Sequence, residues 1–108
     1  MSDEANLVKW LEKAVGDEMI EGVVIGESRS YEKRSEPPLG RLLTWADAKP
    51  HLDYQFDDGF GGADCHPITA WTATRVFFVH EYDGATSIAW VPRHPVEHVP
   101  TYSGWDAA

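Results

Sequence analysis

Two runs, RVFFVHEY at 75 to 82 and TSIAWV at 86 to 91, face each other across Asp83-Gly84, and they constrain the fold more than any other part of the chain. Asp-Gly tolerates the positive backbone angles of a tight two-residue turn, so the β-branched and aromatic runs on either side are set up as an antiparallel hairpin. Within the first run, Val76, Phe78, His80 and Tyr82 fall on one face and Arg75, Phe77, Val79 and Glu81 on the other, because successive side chains of a strand alternate. Both faces are largely apolar. Such a strand belongs in the middle of a sheet, with helices on one side and loops or a partner on the other.

The segment Ile68 to Thr72 precedes the hairpin at a short interval and extends it into a three-stranded meander. Upstream, Leu7, Val8, Leu11, Ala14 and Val15 recur at spacings of three and four, which predicts an amphipathic helix over 3–15 with Ser2 as its cap, Trp10 at the edge of its apolar face and Gly16 as its stop. Val23, Val24 and Ile25 predict a strand within 19–27. Residues 28–40 carry mixed charge and a Pro-Pro pair, the signature of a loop. Thr44 followed by Asp47 has the spacing of a capping box and starts a short helix that Pro50 should end or kink. From Pro92 onward the prolines and the absence of any period predict irregular chain with a frayed end.

The expected architecture is therefore α+β: a small antiparallel sheet of about four strands, ending in the meander, with an N-terminal helix and a short second helix packed on one face. With 108 residues, 43% apolar and 25% charged, the chain has the size and composition of a single globular domain spanning 1–108. The lone Cys65 offers no internal disulfide, and the acidic start MSDEANL carries no targeting pattern, so a cytoplasmic location is expected. No apolar run is long enough to span a membrane.

The net charge of −9 disfavours direct binding of nucleic acid and favours partners with basic surfaces. Acids concentrate at Asp47, Asp53, Asp57, Asp58 and Asp64, and five tryptophans, four tyrosines and four phenylalanines exceed what so small a core needs. Trp10, Trp71 and Trp90 are read as core. Trp45, Phe60 and Trp105, in or beside loops, are read with Asp57, Asp58, Asp64 and the hairpin-tip Asp83 as a protein-binding surface of aromatic anchors and steering charges. Self-association into a homo-oligomer is compatible with this reading.

Two other chemistries have some basis. The loop FDDGFGGADCH, 56–66, combines aspartates and glycines as a calcium site does, but matches no EF-hand spacing. Cys65, His66, His80, His94 and His98 contain the donor types of a zinc site without its usual spacing. Cys65 with His80 would be the pair for a cysteine-dependent enzyme, yet no catalytic signature accompanies it. No catalytic residue, metal ligand or cofactor is assigned, and the chain is read as non-enzymatic.

The phrases LLTWADAKPHLDYQFDDGFGGADCHPITAWT, RVFFVHEYDGATSIAWVPRHP and HVP, over about residues 39–100, resemble a group of small uncharacterised proteins encoded by bacteriophages and prophages, many of them actinobacterial. The shared pattern is FDDGFGG, then YDGAT, then VPRxP, with His94 standing where the family tends to have Asn. The resemblance brings no activity with it. It implies an accessory product of a mobile element that acts in the host cytoplasm by binding, and blocking, a host protein.

Overall fold

The computed structural model describes residues 5–28, 36–59, 63–82 and 84–106. A strand β1 (Ala5–Asn6) leads into helix α1 (Leu7–Val15), followed by β2 (Gly22–Ile25), β3 (Leu42–Leu43), helix α2 (Trp45–Leu52) and β4 (Gln55–Phe56). The chain then forms β5 (Ile68–Trp71), β6 (Arg75–Tyr82), β7 (Ala85–Pro92) and β8 (Trp105–Asp106). The main sheet is antiparallel, in the order β3-β2-β5-β6-β7-β8, and β1 pairs separately with β4. This is the expected α+β fold, with two helices among the described residues, but its main sheet has six strands there where about four were expected.

The hairpin forms in full register, from Arg75 opposite Pro92 to Tyr82 opposite Ala85. Gly84 takes a φ of 84°, the conformation that the turn requires; Asp83 lies outside the described residues. The interior position of β6, between β5 and β7, follows from its two apolar faces.

Helix α1 starts at Leu7, later than the expected residue 3. Asn6, not Ser2, is the cap: its Oδ1 accepts from the amides of Val8 at 2.9 Å and Lys9 at 3.2 Å, while its Nδ2 donates to Asp53 at 3.0 Å. Pairing of Ala5 and Asn6 with Phe56 and Gln55 takes those residues out of the helix. Ser2 lies outside the described residues. The other end is as expected, with Gly16 at a φ of 61°. Thr44 caps α2 by accepting the Asp47 amide at 3.1 Å. Pro50 lies inside α2 and the helix runs on to Leu52. The missing proline N–H costs one bond near the helix end, so the helix stops within the next turn and not at Pro50.

The C-terminal segment was expected to be irregular throughout, and here the structure corrects the reading. Trp105 pairs with Trp90 and Asp106 with Ala89, making β8 the edge of the sheet. The turn into it depends on Gly104, whose φ is 73° and where a Cβ would sit 2.6 Å from the Trp90 carbonyl oxygen. Of the 28–40 loop, residues 29–35 lie outside the described residues, while Leu39 makes a parallel bridge to Ile25.

Directly opposed residues share a face, so Leu43, Val23, Ala70, Phe77, Trp90 and Trp105 form one row across all six strands. That row faces the helices. Val23, Ala70 and Phe77 are fully buried there against Leu7, Leu11, Ala48 and Leu52. The neighbouring row, Leu42, Val24, Thr69, Phe78, Ala89 and Asp106, points the other way. No described helix packs on that outer face.

Candidate functional site

The acidic loop and the hairpin tip, separated by some twenty residues of sequence, meet in space. The Thr86 amide donates to the Asp58 carbonyl at 2.9 Å, and the Ala63 amide donates to the Glu81 carboxylate. Asp57 Oδ1 accepts the Gly59 amide at 2.9 Å, a local turn that shapes the loop. Asp57, Asp58 and Glu81 are exposed and Asp64 is half-buried, so carboxylates from two segments occupy one end of the molecule. Tyr82, 75% exposed, stands on the hairpin beside them. Phe60 and Asp83 lie outside the described residues.

The two tryptophans assigned to this surface are elsewhere. Trp45 is the first residue of α2 and is not in a loop; half-buried, it packs on the core and lines a hollow of about 420 Å³ with Glu12, Val15, Glu18 and Met19. Glu18 binds Arg75 at the start of β6, whereas the acidic loop lies at that strand's far end, roughly 20 Å away for an eight-residue strand. Trp105 is on β8, its ring tilted 32° against Trp90 at 5.1 Å, with His98 edge-on at 5.3 Å. Edge-strand pairing, not loop exposure, explains its position. The seven assigned residues therefore do not form one patch: Asp57, Asp58 and Asp64 stay together, and Trp45 and Trp105 leave the group.

Sequence reasoning missed Glu81 and Tyr82 as members of the acidic end, although hairpin alternation had already placed both at its tip. It also misjudged Trp71. This residue opposes Gly22 and Val76 on the outer face, where it lines a second hollow of about 420 Å³ with Glu21, Gly22, Val24, Leu42 and Arg93. Trp10 and Trp90 do pack against the core, as expected.

At the opposite end from the acids, Glu18 is held from several sides. Arg75 Nε donates to its Oε2 at 2.8 Å, Thr72 Oγ1 donates to Oε1 at 3.2 Å, and the Thr74 hydroxyl and Arg75 Nη2 add further bonds. Arg75 Nη2 also donates to the Val15 carbonyl at the end of α1, at 3.2 Å, and the guanidinium lies over Phe77 and Trp90. The Thr74 hydroxyl, opposed by desolvation and aided by Arg75, holds the Glu18 carboxyl below its ordinary value. This cluster ties α1 to the β5–β6 turn and is a structural clamp.

Cys65 is 1% exposed at the base of a cleft of about 260 Å³ shared with Glu27, Ala63, Val79 and Glu81. His80 alternates to the opposite face of β6 from Val79 and Glu81, so strand geometry directs it away from that cleft. His66 is buried with its Nδ1 at 2.7 Å from the Tyr54 hydroxyl, which also accepts the His66 amide at 2.8 Å. This arrangement ties Tyr54 to His66. Among the described residues, no three His, Cys, Asp or Glu side chains gather closely enough to hold a metal ion, and no helix is long and apolar enough to cross a membrane. No protein-family model, curated protein or solved structure matches this chain.

Proposed function

We propose that this chain is a non-enzymatic, phage-type accessory protein that binds a host protein through its acidic end and inhibits it by covering a basic surface. The observation that carries the reading is the bonding of Asp58 to Thr86 and of Ala63 to Glu81, which gathers carboxylates from separate segments beside exposed Tyr82. A convergent set of like charges on a chain of net charge −9 speeds encounter with a basic partner, and an aromatic at its margin supplies contact area once the partner is seated. The mobile-element origin rests on the FDDGFGG, YDGAT and VPRxP phrases.

The experiment is capture of host proteins from an actinobacterial lysate by the tagged chain, at low and moderate salt, in parallel with the Asp57→Ala/Asp58→Ala variant. A stoichiometric basic partner, released as salt rises and lost with the variant, is the expected result. A partner retained in full by the variant would move the interface away from the loop, and an empty capture would remove the reading.

A further inference from the structure

The outer face of the main sheet carries Val24, Trp71, Val76, Phe78 and Val91, all half-buried, with Leu42 72% exposed at one corner and Tyr82 75% exposed at another. Polar side chains reach this face at Thr69, His80 and Ser87, and charge reaches its margins, where Arg93 is paired with Glu21 and Asp106 sits on the edge strand. Helices cover the other face; on this one, among the described residues, the turn at Gly104 stands beside Phe78 and Ala89 is 1% exposed, while no helix covers the rest of the apolar surface. We infer that this face is the interface of a homodimer, in which the outer sheet of one copy packs against the outer sheet of a second.

Three observations favour a second copy as the occupant. First, charge points away from a steered foreign partner: a basic protein is drawn to the acidic end, while a neutral apolar face is matched by another neutral apolar face, and a two-fold axis supplies one. Second, the size fits. From strand spacing and rise, the six paired strands span about 450 Å² of flat sheet per copy. With side-chain relief and margins, two copies bury on the order of 1,000–1,200 Å², the low end of specific interfaces, which corresponds to a reversible dimer in the micromolar range. Third, the surface has relief that can interlock, because Leu42 projects next to the hollow floored by Gly22 and flanked by Trp71. The edges do not compete as routes of assembly: β3 and β8 are only two residues long and offer short ladders for strand addition. Facing sheets about 10 Å apart, with strands aligned to within about 30°, would place the two acidic ends on a common rim or at opposite poles, free in either case.

The salt response separates this interface from the acidic one. Two copies of net charge −9 repel, so salt screens the repulsion and strengthens the dimer, whereas capture of a basic partner weakens with salt. Sedimentation equilibrium of the full chain from about 1 to about 200 µM, at about 20 and about 500 mM NaCl, tests the proposal. The expected result is a monomer–dimer equilibrium several-fold tighter at high salt, weakened at least tenfold by Leu42→Glu and weakened by Leu42→Ser. Leu42 is largely exposed, so both variants keep the wild-type far-UV spectrum and monomer stability. A chain that stays monomeric throughout, or a dimer that persists unchanged in both variants, overturns the proposal without touching the reading of the acidic end.

Discussion

Phe77 and Phe78 are neighbours on β6 that point to opposite faces, so replacing each with alanine measures how differently the two faces are covered. Phe77 is completely buried between Ala70 and Trp90, under the Arg75 guanidinium at 4.8 Å, and within the cluster that includes Leu7, Leu11 and Leu52. Phe77→Ala removes the transfer free energy of the ring and leaves a cavity that a six-stranded sheet cannot collapse, for a cost of about 3–5 kcal/mol. Phe78 keeps part of its surface in water, and Phe78→Ala costs about 1–2 kcal/mol from the fraction of ring area that is buried. Sequence alternation by itself leaves both faces apolar, and for Phe78→Ala on a central strand it implies about 3–5 kcal/mol, a figure that the half-burial of Phe78 lowers. The assay is urea unfolding followed by circular dichroism at low micromolar protein, where the outer face is unpaired. With a slope of about 1–3 kcal/mol/M, Phe77→Ala moves the midpoint down by 1 M or more and Phe78→Ala by about half that or less. Should Phe77→Ala leave too little folded protein to measure, Phe77→Leu, at about 1–2 kcal/mol, is set against Phe78→Leu, which at the half-buried position costs less than about 1 kcal/mol. Equal costs at the two positions, or a larger one at Phe78, would refute the assignment of inner and outer faces.

Acidification tests the clamp. The Glu18 carboxyl is held below its ordinary value of 4.5, so the stability it contributes is fully present above that value and disappears as pH falls through the lowered one. In Glu18→Gln, the loss of stability between about pH 5 and about pH 3 should be shallower than in wild type; parallel curves would show that the carboxylate is not the linked group. Thr86 is 5% exposed and its Oγ1 has no hydrogen-bond partner among the described residues, so Thr86→Val, which keeps the shape, should stabilise by about 1 kcal/mol; a destabilised variant in a thermal melt would mean that the hydroxyl is satisfied. Gly104→Ala forces a Cβ against the Trp90 carbonyl at a positive φ, and should detach β8 and shift tryptophan emission to the red as Trp105 leaves Trp90; an unchanged spectrum would count against edge pairing.

Local chemistry in the chain was enough to specify several elements. Asp83-Gly84 and the alternation around it define the hairpin, the three-and-four spacing from Leu7 to Val15 defines α1, Gly16 stops it, and Thr44 with Asp47 starts α2. Each of these depends on contacts within a few residues, which is why the sequence carries them openly. Ala5–Asn6, Leu42–Leu43, Gln55–Phe56 and Trp105–Asp106 were not legible, because a two-residue strand has no period of its own and exists through the ladder its partner offers. Their formation moved the start of α1, turned Trp105 from a loop aromatic into an edge residue, and brought the sheet to six strands. The candidate site divides in the same way: the carboxylates of the 57–64 loop were visible as composition, but their union with Glu81 and Tyr82 rests on a bond between residues 58 and 86. Which side of an apolar strand meets helices is likewise a matter of register across the sheet. Alternation sorts side chains into two faces, and only the packed layers decide which of the two remains in contact with solvent.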